Sequence, residues 1–121
     1  MNFTPEQLLE NWQKFNGYIE KYITGNRKNQ LLDFYKKYED RLVTYPAANM
    51  VKYHSCFAGG YIYHVNRVIE SSLYLQKLWE KMGADMSTFT TEELVFAAIN
   101  HDLGKMGDMF NEAYQPSTDQ W

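Results

Sequence analysis

The chain has 121 residues, 45% of them apolar and 17% aromatic against 22% charged, a balance that excludes a disordered or fibrous protein and fits a globular unit with its own core. Its 12 basic and 15 acidic side chains leave a formal charge of −3 and are mixed along the chain, so no basic stripe offers itself to duplex nucleic acid. Cys56 is the lone cysteine, which excludes an internal disulfide, a CxxC redox pair and a cysteine-rich zinc site.

The opening MNFTPEQLLENW has neither a basic leader nor an apolar core, and no apolar run approaches the roughly 18 residues that cross a bilayer; an intracellular, cytoplasmic protein without a membrane partner is expected. Thr4, Pro5 and Gln7 spell a capping box with proline at the first helical position. Leu8, Trp12, Phe15, Ile19 and Tyr22 follow at helical spacing, which predicts a first helix over about 5–24. Gly25 and Asn26 break it, and a second stripe at Leu31, Tyr35, Tyr38, Leu42 and Tyr45 runs to Pro46, making 1–45 a helical hairpin that serves as scaffold. The stretch 46–60 has no sustained period and ends in Gly59-Gly60, where backbone can pass close to a neighbour and frame a site.

A third helix over about 61–82 carries Val65, Val68, Ile69, Leu73, Leu75, Leu78 and Trp79 around most of its circumference, as a central helix would, and Gly83 closes it. Thr90 with Glu93 forms a second capping box; the helix it starts runs through Leu94, Ala97, Ala98 and Ile99 to His101 and Asp102, with Gly104 as its terminator. The alanine pair would let two helix backbones approach closely. Beyond Lys105, residues such as Gly107, Asn111 and Pro116 predict a loop with at most one helical turn, near Met109 and Phe110. The expected fold is thus all-α, a compact bundle of about four main helices in one domain over 1–121, with a metal-site core at 46–105 and a loop-rich tail at 106–121.

His64 shares its helical face with Tyr61, Val68 and Leu75, and His101 shares one with Leu94, Ala97 and Ala98, so both rings are expected to point inward. Asp102 falls at the helix end beside them. Buried polar groups need partners, so the three compensate one another in a metal-free network or bind a cation. Two imidazoles and a carboxylate suit Mn, Fe, Co, Ni or Zn, with Mg as a further candidate, and an open coordination position would take the water that attacks phosphorus. Lys105, three residues on, is placed to balance phosphate charge. Taken singly, each piece also has a plainer reading: His64 as a core histidine, His-Asp-Leu-Gly as an ordinary helix ending, Cys56 as a packed apolar residue, Met106 and Met109 as gap fillers. Tyr53, Tyr61, Tyr63 and Tyr74 read mainly as packing, with Tyr61 and Tyr63 the candidates for stacking a nucleobase.

Taken together the pieces form a pattern. AAINHDLGK at 97–105 resembles the signature of the HD-domain phosphohydrolase superfamily, and KYHSCFAGGYIYHVNRVI at 52–69 resembles the segment that carries that superfamily's first metal-binding histidine. A histidine, a Gly-Gly pair and a second histidine in this order resemble the subgroup that includes the HD domain of certain exoribonucleases and small phage proteins. The resemblance implies an all-α fold, a divalent metal held by His64, His101 and Asp102, and hydrolysis of a phosphate ester. It also implies His54 and Lys105 at the substrate or a second metal, with His54, Asp102 and Lys105 as catalytic residues and Arg67 as a further phosphate contact. In the family an aspartate on a later helix closes the site. Here Asp108 and Asp119 follow the His-Asp pair, so one of them substitutes, a second subunit supplies the ligand, or the site is incomplete.

The expected function is therefore a metal-dependent phosphohydrolase acting on a nucleotide or related small phosphate ester, without duplex nucleic acid and with self-association through an exposed apolar edge. The alternative is a catalytically impaired HD domain that serves as a nucleotide- or metal-binding or assembly module.

Overall fold

The computed structural model describes residues 2–48 and 56–107. Tyr53, His54, Asp108, Met109, Phe110 and Asp119, to which the sequence assigned roles or turns, lie outside the described residues. The protein is all-helical: α1 spans Pro5–Tyr22, α2 Gly25–Lys37, α3 Glu39–Leu42, α4 Gly60–Lys81 and α5 Thr91–Asn100, and a 3-10 turn follows at Leu103–Met106.

Both expected capping boxes form. Thr4 accepts from the Gln7 amide at 3.2 Å while the Gln7 side chain accepts from the Thr4 amide at 2.9 Å, and Thr90 pairs with Glu93 in the same reciprocal way, satisfying amides that a helix start leaves without partners. Gly83, at φ +88°, ends α4 in a Schellman turn, its own amide bonding to the carbonyl of Glu80 and the Ala84 amide to that of Trp79.

Two expectations about the helices are corrected. The second stripe does not make one helix to Tyr45: the chain leaves α-geometry at Tyr38 (φ −107°, ψ 13°) and resumes as the short α3. The stripe itself persists, since Tyr35, Leu42 and Tyr45 are all buried. Nor is α4 apolar-buried along its length. Its first half buries Tyr61, Ile62, Val65 and Ile69, whereas Leu75, Leu78, Trp79 and Met82 are exposed. With 22 residues it is about 33 Å long, against about 15 Å for α5, which has 10, so its last turns run beyond the helix it packs on.

The core is built from Trp12, Phe15 and Ile19 of α1, Tyr35 of α2, the first half of α4, and Val95, Ala98 and Ile99 of α5. Of the alanine pair, Ala98 is buried and Ala97 exposed. α4 packs against both α1 and α5, and the α4–α5 seam ends where His64 and His101 meet. No helix among the described residues is long and apolar enough to cross a membrane.

Candidate metal centre

His64 stands in the second turn of α4, so the start of that helix sets its position. Gly59 caps it in the left-handed region at φ +83°, and a Cβ there would sit 2.3 Å from Leu8 Cδ2 and 3.2 Å from Phe3 Cδ2. Only glycine combines that backbone angle with that closeness to α1. The Tyr61 amide then bonds to the Tyr45 carbonyl at 2.8 Å, joining the first turn of α4 to the chain leaving α3.

His101 and Asp102 follow the last turn of α5, and tertiary hydrogen bonds hold that end in place. The buried Tyr35 hydroxyl donates to Asn100 Oδ1 at 2.7 Å, and Asn100 Nδ2 donates to the Phe96 carbonyl at 2.9 Å. Desolvation, and then the neighbouring Tyr61, raise the pKa of Tyr35, so it stays a neutral donor. The 3-10 turn beyond is clamped from two sides: the Tyr45 hydroxyl donates to the Lys105 carbonyl at 2.8 Å, and Arg41 Nη1 donates to the Met106 carbonyl at 3.2 Å. At its other end, α5 is tied to the α1–α2 corner by Glu92, which accepts from the Thr24 amide and hydroxyl at 2.8 Å and 3.1 Å.

These supports bring three donor atoms into a small triangle. His64 Nε2 lies 3.2 Å from Asp102 Oδ2, His101 Nε2 lies 3.0 Å from the same oxygen, and the two Nε2 atoms are 3.3 Å apart. His101 Nδ1 is 2.7 Å from the Ala98 carbonyl oxygen. A carbonyl only accepts, so Nδ1 carries the proton and, in the neutral ring, Nε2 presents its lone pair to the triangle. Lys105 Nζ is 3.4 Å from the other carboxylate oxygen of Asp102.

Donors bound at about 2.1 Å to one ion stand about 3.0 Å apart as octahedral neighbours and about 3.4 Å apart as tetrahedral ones. The observed triangle lies within that interval, and two imidazoles with a carboxylate are a donor set that first-row divalent ions accept. The residues present therefore fit a divalent metal, on one face of its coordination sphere.

The structure brings His64, His101, Asp102 and Lys105 together. Arg67 lies one helical turn beyond His64, outside the triangle, with Nη1 donating to the Tyr63 hydroxyl at 2.9 Å. Inward, water-shielded histidines were expected, and that is corrected: 22% of the His64 side chain and 33% of the His101 side chain are exposed, against 16% for Asp102. His101 keeps helical angles (φ −61°, ψ −31°) at the C-terminus of α5, so its exposure comes from its place at the mouth of the seam. Tyr61, one of the two stacking candidates, is 1% exposed and cannot present a ring face to a base. Sequence reasoning missed Tyr35, Asn100, Tyr45 and Arg41 as supports. The tyrosines carried a signal only as members of an apolar stripe, and nothing local announced where their hydroxyls would go.

An all-helical protein with a His-His-Asp cluster at the end of a helix seam is the class that fold and site define. Among curated proteins the chain is similar to the 3′-5′ exoribonuclease YhaM of Oceanobacillus iheyensis, with 37% identity over 76 residues that make up 63% of this chain and 21% of the relative. The chain thus spans about a fifth of the length of the relative it matches. No protein-family model matches it, and no solved structure matches it. That relative is a hydrolytic enzyme. The similarity corrects the expected partner, a small nucleotide or phosphate ester with no duplex nucleic acid, because the relative is an exoribonuclease and acts on RNA.

Proposed function

We propose that this chain is an HD-type, metal-dependent hydrolase of RNA 3′ ends, with His64, His101 and Asp102 as the protein ligands of a divalent ion. The observation that carries the reading is the triangle of donor atoms at 3.0, 3.2 and 3.3 Å, formed by the residues that the HD resemblance names. Similarity to an exoribonuclease supplies the substrate class.

When bound, the ion supplies a Lewis acid that lowers the pKa of water and polarises a phosphoryl oxygen. The chain's own residues do the rest. The Ala98 carbonyl fixes the His101 tautomer, so the ring offers Nε2 without reorganising. Asp102 contributes negative charge through Oδ2 while its Oδ1 faces Lys105, whose ammonium is then within reach of a phosphate at the same face and offsets its charge. The exposure of both histidines leaves room for a strand end to approach. His54, outside the described residues, is assigned by the resemblance to proton transfer or phosphate binding.

The test is elemental analysis of the purified protein and of His101→Ala, alongside hydrolysis of a 5′-labelled oligoribonucleotide. About one equivalent of divalent metal and 3′-end shortening are expected in the parent, with both lost in the variant. Shortening that survives in His101→Ala would remove this mechanism. Metal retained without turnover would leave the cluster as a binding module.

A further inference from the structure

Residues 63, 66, 67, 70, 71 and 74 of α4 recur at three- and four-residue spacing and form one stripe, which with Asn11 and Lys14 of α1 lines a groove of about 340 Å³. That is the low end of the range of about 300–1,000 Å³ typical of ligand sites. The groove starts beside the metal centre, since Arg67 is three residues past His64 on the adjoining row of the same helix.

Its polar groups are ordered. The Arg67 guanidinium sits 5.5 Å from the centre of the Tyr63 ring and donates to its hydroxyl, and Phe3 and Phe57 brace that ring at 5.4 and 6.0 Å. Farther along, Lys14 pairs with Glu70, which also accepts from the Tyr18 hydroxyl at 2.8 Å. On the floor, Asn66 is 4% exposed and gives one amide hydrogen to the Asn11 carbonyl at 3.0 Å. Asn66 Oδ1 and Asn11 Nδ2 are buried there without a protein partner, polarity that helix packing alone does not call for.

We propose that this α1–α4 groove seats a nucleotide of single-stranded RNA next to the metal centre. The base stacks on the Arg67 plane, and Lys14, which pairs with Glu70, takes the neighbouring phosphate through its remaining ammonium hydrogens. A guanidinium held by a hydrogen bond to the Tyr63 hydroxyl offers a planar stacking surface that every base fits. A duplex offers no free base face to it, so the occupant is single-stranded. The proposal rests on the reading of the chain as a hydrolase of RNA ends.

The experiment is fluorescence anisotropy of a labelled octauridylate at two salt concentrations, with EDTA present so that no turnover occurs. Arg67→Ala and Lys14→Ala should each weaken binding about tenfold, and the logarithmic salt dependence should flatten by about 0.7 for each phosphate that the removed cation had neutralised. Lys36→Ala, which removes the same charge from α2, should bind as the parent does. All three side chains are exposed, and circular dichroism verifies the fold of each variant. The proposal is overturned if both groove variants bind within twofold of the parent, if Lys36→Ala is weakened as much, or if the parent does not bind. Binding is read without metal, so a failure of the metal-centre reading shows separately, in the metal content of the parent.

Discussion

Glu70 shows how a single side chain links the chemistry of the surface to the stability of the fold. Its carboxylate is held below its ordinary pKa of 4.5 first by the hydrogen bond from Lys14, then by the Tyr18 hydroxyl, with burial opposing both. A depressed carboxylate pKa stabilises the folded state at pH values above the ordinary one, and that contribution is lost as pH falls through the depressed value. Urea midpoints measured from pH 6 downward should therefore decline in the parent once pH passes below 4.5, and Glu70→Gln should remove part of that decline. Identical acid profiles would show that the Lys14–Glu70–Tyr18 cluster is without weight. At the same scale, the convergence of His64, His101 and Asp102 was legible from spacing and resemblance, whereas the exposure of His101 was not. His101 keeps helical angles (φ −61°, ψ −31°) at the end of α5, so spacing gives its face correctly; what spacing does not give is how far the neighbouring elements extend to cover that face.

Among the elements, α5 is the one whose end must be exact for the cluster to form, and Tyr35 on α2 holds that end through Asn100. Tyr35→Phe removes the donor and leaves a buried-side acceptor unpaired, at a cost of about 1–3 kcal/mol. It should lower the melting temperature and also weaken metal affinity about tenfold, as loss of a support behind a ligand does. A variant that melts lower but binds metal as the parent does would confine Tyr35 to packing. Element starts were legible because capping boxes are local: Thr4 with Gln7 and Thr90 with Glu93 announce α1 and α5 without tertiary information. The break at Tyr38 was not, because no glycine or proline marks it. There the chain turns so that Arg41 and Tyr45 reach the carbonyls of Met106 and Lys105, partners 65 and 60 residues away along the chain.

For the whole molecule, the arrangement has a kinetic consequence. His64 and His101 are separated by 37 residues and lie on different helices, so the proposed ion would pin the α4–α5 seam only after both helices are formed and docked. A tie made that late belongs to the native side of the folding barrier. It should slow unfolding while leaving the folding rate nearly unchanged. Stopped-flow unfolding of metal-loaded and chelated protein provides the check: a slower unfolding limb in the loaded form with superimposable refolding limbs is expected, and equal unfolding rates would mean that no ion joins the two helices. The persistence of the folded chain would then follow the supply of metal, so that a cell short of the ion would lose the protein through more frequent opening, while newly made chains folded as quickly as before.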